Sequence, residues 1–123
     1  MGLREWRRRP GPATQTKNVD EWFRVTFDDE YVRLDVAPPG RDPWKAHFAW
    51  AGIVRVCFKA EGLEASDGVY VFTSDRPESY AIPVEAAGGA DFWTEVIRRG
   101  LFDAHLAIEA ASASEGLFCW PPA

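Results

Sequence analysis

The chain has 123 residues, of which 46% are hydrophobic and 14% aromatic, enough for one domain with its own core. No apolar run approaches the roughly 20 residues that would cross a bilayer, and no apolar stretch follows the basic N-terminus as a secretory signal requires. These features exclude a membrane-spanning protein, and we expect a cytoplasmic one.

The net charge of −5 is divided unevenly along the chain. Residues 1–17 hold five basic groups and one acidic group, whereas residues 18–123 hold nine basic and eighteen acidic groups, a balance of −9. An acidic body repels phosphate backbones, so we predict no nucleic-acid binding.

The N-terminal segment, residues 1–18, predicts a flexible basic arm. Its run Arg7-Arg8-Arg9-Pro10-Gly11-Pro12 and the polar stretch that follows show no apolar periodicity. Residues 19–123 then predict a single β-rich domain, which we expect to fold without the arm.

A β-hairpin over residues 22–37 is the first predicted element of this domain. Apolar side chains alternate with polar ones on both sides of the acidic turn Asp28-Asp29-Glu30, as in strands with one buried face. The alternating apolar residues are Phe23, Val25, Phe27, Val32, Leu34 and Val36.

Further strands are predicted between loops rich in proline, glycine and aspartate. After the loop 37–43 they cover residues 44–50, 54–59, 69–73 and 80–84, with turns at 61–68 and 75–78. The spacing of Trp50, Ile53 and Val56 indicates a short turn that enters the second of these strands.

One amphipathic helix is predicted late in the chain, at about residues 89–99. Phe92 with Val96, and Trp93 with Ile97, form one apolar stripe at i,i+4 spacing, and Gly100 suits the C-terminal cap. After the helix, the segments 106–109 and 117–120 predict one or two further short strands.

The order of these elements resembles a bacterial domain of the pleckstrin-homology-like superfold, over about residues 22–100. The residues that carry the resemblance are the hairpin Phe23–Val36, the step Trp50, Ile53 and Val56, and Tyr80-Ala81-Ile82-Pro83 leading into the helix Gly88–Arg99. The resemblance implies an α+β, mainly β fold: a partly open antiparallel barrel or sandwich of about seven strands with one late helix. Members of this superfold bind diverse partners, so the resemblance assigns no activity.

Phosphoinositide-binding members of the superfold resemble one another in placing several lysines and arginines on the first two strands and their connecting loop. In this chain the loop is Asp28-Asp29-Glu30, flanked only by Arg24 and Arg33. Carboxylates oppose a polyanionic headgroup, so we predict no binding to phosphoinositides or membranes.

The two cysteines and two histidines suggest no reactive centre. Cys57 and Cys119 form no C-x-x-C pair, and we predict reduced, inert thiols, with Cys57 partly buried; a disulfide is the alternative. His47 and His105 stand alone, without the clustering that a zinc site needs. We therefore predict no catalytic residue, no metal site and no cofactor.

The remaining interpretation is a non-catalytic protein–protein interaction module. Trp44, Trp50 and Trp120 are the candidate partner-binding residues, because tryptophan dominates interface energetics. The acidic body favours a basic partner protein, which the sequence does not identify. The alternative is a stoichiometric inhibitor, such as an immunity protein that binds a basic toxin, and a small enzyme ranks third. The strands after the helix offer a route to a homo-oligomer.

Overall fold

The structure is a computed structural model that describes residues 18–61 and 67–122. The predicted arm, apart from residue 18, and most of the predicted turn at 61–68 lie outside the described residues. Within them the chain is α+β and mainly β, as predicted, with seven strands in two antiparallel sheets and two helices.

The first sheet is a three-stranded meander that follows a short 3₁₀ turn at Val19–Glu21. Its strands are β1 (Phe23–Phe27), β2 (Tyr31–Val36) and β3 (Trp44–Ala49), in the order β1-β2-β3. The register pairs Val25 with Leu34, and Leu34 with Ala46, so the alternating apolar side chains share one buried face. The predicted hairpin is confirmed.

The second sheet has four strands, and its first strand follows a 3₁₀ turn at Trp50–Gly52. The strands are β4 (Ile53–Ala60), β5 (Gly68–Thr73), β6 (Tyr80–Pro83) and β7 (Gly116–Trp120). Their order is β6-β5-β4-β7, so the last strand of the chain returns to pair with the first strand of this sheet. The predicted strands are confirmed with shifts of one or two residues at their ends.

Two helices, α1 (Gly89–Arg98) and α2 (Ala104–Ser112), lie between β6 and β7 in the chain. The first confirms the predicted amphipathic helix, but the strand predicted at residues 106–109 is wrong. Asp103 caps α2, since its carboxylate accepts a hydrogen bond of 2.9 Å from the backbone N–H of Leu106. Within α2, Ala110 is buried while Ile108 is 65% exposed, as expected for two faces of a helix. Over the four residues 106–109 alone, the sequence also fits the alternation of a strand.

The prediction of two reduced cysteines is also wrong, because Cys57 and Cys119 form a disulfide. They lie directly opposite each other in the β4–β7 pair, a contact between residues 62 positions apart that sequence spacing cannot show. Cys57 is 5% exposed rather than partly buried, since β4 lies between β5 and β7.

A segment of backbone before α1 links the helix to the first sheet. The N–H of Val25 donates to the carbonyl of Ala87 at 2.8 Å, and the N–H of Ala87 donates to the carbonyl of Phe23 at 2.9 Å. Gly88 follows with φ of 82°, and a Cβ there would lie 2.2 Å from the Val25 carbonyl oxygen. This close approach holds α1 so that Phe92 and Val96 are fully buried.

Neither α1 nor α2, the helices of the described part of the chain, has the length and apolar character of a membrane span.

Candidate functional site

The acidic turn between β1 and β2 is held rigid by Asp28. One oxygen of its carboxylate accepts the backbone N–H groups of Glu30 and Tyr31, both at 2.8 Å, and the other accepts Arg33 Nη1 at 3.0 Å. The hydrogen bonds from Tyr31, Glu30 and Arg33 lower the pKa of Asp28 from 3.8 to about 2. Asp28 is therefore used by the turn itself, while the side chains of Asp29 and Glu30 point into solvent.

Trp50 anchors this turn to the core. Its indole N–H donates to the carbonyl of Asp28 at 2.8 Å, and its backbone N–H donates to the carbonyl of Glu30 at 3.0 Å. The ring stacks on Phe92 of α1 with centroids 5.6 Å apart and meets the edge of Phe27 at 5.7 Å. The acidic turn, the 3₁₀ turn at Trp50–Gly52 and α1 thus meet at the buried indole of Trp50.

Arg99, the residue after α1, covers the outer side of that indole. Its guanidinium lies 4.1 Å from the centroid of the Trp50 ring, a cation–π contact, and its Nε is 2.7 Å from a carboxylate oxygen of Glu95. Arg98 also bonds Glu95, and the hydrogen bonds from Arg98 and then Arg99 lower the pKa of Glu95 from 4.5 to about 2. The single carboxylate of Glu95 therefore pairs with two guanidinium groups and offsets only part of their charge.

These contacts border a shallow depression of about 560 Å³, which we call the hairpin-tip groove. Its lining residues are Asp29, Glu30, Tyr31, Ala49, Trp50, Ala51, Arg99 and Leu101. The lining carries the exposed carboxylates of Asp29 and Glu30 and one guanidinium group, that of Arg99, so its balance of charge is −1. An apolar floor beneath two carboxylates suits the stem and charged end of a lysine or arginine side chain.

The three tryptophans predicted to bind a partner do not come together. Trp44 is 44% exposed at one end of the core, against the edge of Phe23. Trp50 is 5% exposed, so it lies under the groove and adds little surface of its own. Trp120 is half-buried on the inner side of β7, opposite Val56.

Sequence reasoning missed Tyr31 and Arg99 as groove residues. Tyr31 is 40% exposed and contacts the edge of the exposed ring of His47 at 5.9 Å. The position of Tyr31 directly after an acidic turn is the one signal in the sequence that could have indicated it as a groove residue. Arg99 shows only as a basic residue at a helix end, which the helix dipole explains equally well.

In residues 18–61 and 67–122, no group of three or more His, Cys, Asp or Glu side chains is arranged to hold a metal ion. His105 is exposed on α2, and His47 is exposed on β3.

No protein-family model, curated protein or solved structure matches the chain. The groove is therefore interpreted from its own geometry, and the resemblance to the pleckstrin-homology-like superfold stays a prediction.

Proposed function

We propose that the chain is a non-catalytic protein-binding module that receives a basic side chain of a partner protein in the hairpin-tip groove. The observation that carries the proposal is a rigid acidic rim over an apolar floor. Asp28, Trp50 and Arg99 fix the turn before any partner arrives, so little conformational entropy is lost on binding.

Charge supports a basic partner. The balance of −9 over residues 18–123 attracts cations at long range, and the carboxylates of Asp29 and Glu30 supply the local end of that field. Attraction between exposed charges is screened over about 8 Å at physiological ionic strength, so association slows in salt. Contacts with Tyr31 and the apolar floor persist, and dissociation changes little.

The chemistry of the groove supports binding rather than turnover. Its described lining includes no histidine, cysteine or serine, and its one hydroxyl group belongs to Tyr31. Tyr31 meets His47 only by the edges of the two rings, with centroids 5.9 Å apart, which is not the hydrogen-bonded pairing of a nucleophile with a base.

A stoichiometric inhibitor of a basic toxin would use the same groove and the same charges. The two roles differ in the partner, since an inhibitor abolishes an activity of the protein that it binds. Adding the chain to a purified basic partner at equal concentration, and measuring that partner's activity, separates them.

The experiment for the groove is selection from a displayed library of linear peptides on the immobilised chain. We expect enrichment of arginine and lysine next to apolar residues, and loss of binding when Asp29 and Glu30 are both replaced by lysine. The matched control replaces Glu109 and Glu115, exposed carboxylates outside the groove lining, by lysine, with the same change in net charge.

Enrichment of acidic peptides, or equal binding by both double variants, would contradict the proposal. A thermal unfolding midpoint for each variant shows whether the turn still folds.

Localisation in the cytoplasm stays a prediction, and the disulfide bears on it. Cytoplasmic reductants keep most thiols reduced, whereas a disulfide between Cys57 and Cys119 favours an oxidising compartment. Cell fractionation, with alkylation of free thiols at lysis, tests the compartment and the redox state together.

A further inference from the structure

The hairpin-tip groove suits a basic side chain that lies next to an apolar one. The exposed carboxylates of Asp29 and Glu30 stand at its rim, while Leu101 and Tyr31 supply apolar and aromatic surface. Tyr31 is 40% exposed, so its ring is open to contact. A ligand that fits this lining carries an apolar or aromatic residue beside a guanidinium or ammonium group.

The chain carries such a sequence itself, in the part of the basic arm that precedes the described residues. The run is Trp6-Arg7-Arg8-Arg9, an aromatic residue followed directly by three guanidinium groups. Residues 1–17 have a balance of +4, whereas residues 18–123 have a balance of −9. The arm therefore complements the groove in residue type, and it complements the body of the protein in charge.

The arm is long enough for this run to reach the groove. The described chain begins at Asn18, and eleven positions lead from there through the 3₁₀ turn and β1 to Asp29 at the groove. Arg7 also lies eleven positions from Asn18, on its other side. The path to Asp29 includes a 3₁₀ turn, which rises only ~2.0 Å per residue, against ~3.3 Å in a strand. The arm therefore spans the distance without being fully extended.

The covalent connection favours the arm over a free ligand. A segment joined to a site by a short linker has an effective concentration in the millimolar range at that site. If the run bound the groove with an intrinsic dissociation constant of ~0.1 mM, about nine molecules in ten would be occupied. A free ligand would then have to displace the run, and its apparent affinity would fall about tenfold.

We infer that the run Trp6-Arg7-Arg8-Arg9 occupies the hairpin-tip groove of its own chain and is displaced when a partner protein binds. One guanidinium group neutralises the balance of −1 in the lining, and Trp6 adds apolar contact. The contact is autoinhibitory, because it excludes basic ligands that bind more weakly than the arm. The inference rests on the proposed function, since it takes the groove as a site for basic side chains.

The first test adds the arm sequence to the full chain as a separate peptide. The probe is a fluorescent peptide with the sequence of residues 3–12, and its anisotropy reports binding. We expect the full-length variant Arg7→Ser/Arg8→Ser/Arg9→Ser to bind the probe about tenfold more tightly than the wild type. The physical reason is that the variant has lost the run that competes for the groove.

The matched control removes the same number of positive charges elsewhere. It places serine at three exposed cations outside the groove lining, Arg24, Arg41 and Lys45. This control should bind the probe much as the wild type does. Equal affinities for the wild type and the arm variant, equal gains in the two variants, or an arm variant that does not bind the probe would overturn the inference.

The proposed function fails by a different result. It survives all of those outcomes as long as peptides selected from the library bind the wild type and lose binding in Asp29→Lys/Glu30→Lys. It fails if selected peptides bind that variant and Glu109→Lys/Glu115→Lys equally well.

The second test observes the arm in the groove without any added ligand. Cys57 and Cys119 are joined, so Gly11→Cys introduces a thiol that takes a nitroxide spin label close to the run. We expect the label to broaden the indole N–H signal of Trp50 in the nuclear magnetic resonance spectrum. The broadening should persist on tenfold dilution, because the contact forms within one chain.

The charge variants of the groove provide the control for this second test. Asp29→Lys/Glu30→Lys should relieve the broadening, whereas Glu109→Lys/Glu115→Lys, with the same change in net charge, should retain it. Unfolding midpoints confirm that the labelled variants fold. A Trp50 signal that is not broadened, or equal relief in both variants, would overturn the inference. Broadening that disappears on dilution would also overturn it, because it would assign the contact to a second copy.

Discussion

The two sheets of this molecule present opposite kinds of outer face. In the first sheet, one outward row joins Arg24, Asp35 and Lys45, and the next contains Thr26, Arg33 and His47. In the second sheet, the corresponding rows contain Tyr70 with the disulfide and Lys59 with Leu117. Both sheets bury most of their inner side chains, so the contrast lies in their outer faces. Alternation is typical of a face that meets water, whereas continuously apolar strands are typical of a sheet covered on both faces.

The sheets also differ in how they are held. The first sheet is secured at β1 by hydrogen bonds to Ala87 and by the close approach of Gly88. The second is crosslinked between its central strand β4 and its edge strand β7. Four experiments separate these contributions.

The largest expected effect is removal of the disulfide. For a loop closed by residues 62 positions apart, the chain-entropy model gives a loss of about 4 kcal/mol in the free energy of unfolding. Urea unfolding should give the same lowered free energy for the double variant Cys57→Ala/Cys119→Ala and for the wild type with reductant. Hydrogen exchange should accelerate first in β7, while the first sheet keeps its protection. Two free thiols in unfolded protein purified without reductant would show that the crosslink is absent.

The next comparison sets an inward leucine against an outward one. Leu34→Ala should lower the free energy of unfolding by about 3 kcal/mol, because it leaves a cavity in the core. Leu34 is 1% exposed and Leu117 is 62% exposed. In the same urea experiment, Leu117→Ala should therefore lower the free energy of unfolding by less than about 0.5 kcal/mol. A large cost at Leu117 would mean that its face is covered within one chain.

A pair of glycines tests how α1 is held against the first sheet. Gly88→Ala should cost about 2 kcal/mol or more, since it combines a positive φ with a Cβ that would lie 2.2 Å from the Val25 carbonyl oxygen. Gly100 has a similar φ of 76° with no neighbour within 4 Å of a Cβ. Gly100→Ala should cost only about 1 kcal/mol, the backbone penalty alone. Equal thermal shifts for the two variants would contradict the role of the close approach.

The smallest effect is a pH dependence at the tip of the first sheet. The pKa of Asp28 is lowered from 3.8 to about 2, so its carboxylate stabilises the fold above pH 3.8 and loses that contribution as pH falls towards 2. Asp28→Asn keeps an oxygen that can accept the two backbone N–H groups. The difference in thermal midpoint between wild type and variant should therefore be largest near neutral pH and shrink below pH 3.8. A difference independent of pH would show that the charge has no part in the turn.

Much of the fold follows from local patterns. The hairpin is predictable because six apolar residues alternate without interruption around an acidic turn. The helix α1 is predictable because Phe92 and Val96 share a stripe and Gly100 ends it. Both elements depend on neighbours within a few residues, which is the range that periodicity reports.

The features that were not predicted depend on distant residues or on very short patterns. The disulfide and the groove join residues that are far apart in the chain, such as Cys57 with Cys119 and Asp29 with Arg99. In α2, the spacing of Leu106 and Ile108 fits a strand, whereas the spacing of Leu106 and Ala110 fits one face of a helix. The cap at Asp103 favours the helix. Trp50 was singled out for its residue type, yet its indole N–H finds an acceptor in the Asp28 carbonyl, which places it inside.

The crosslink also divides the molecule mechanically. The first sheet precedes Cys57 in the chain, whereas most of the second sheet and both helices lie inside the covalent loop that ends at Cys119. A force applied to the two ends of the chain is transmitted through the disulfide rather than through the residues between the two cysteines. Stretching can therefore unfold the first sheet while the loop stays closed. At about 3.6 Å per residue, the 62 positions closed by the disulfide keep roughly 220 Å of contour length from being extended. The part of the chain before Cys57 can thus extend under force, whereas the disulfide loop cannot. A two-electron reduction of the disulfide makes the loop extensible as well.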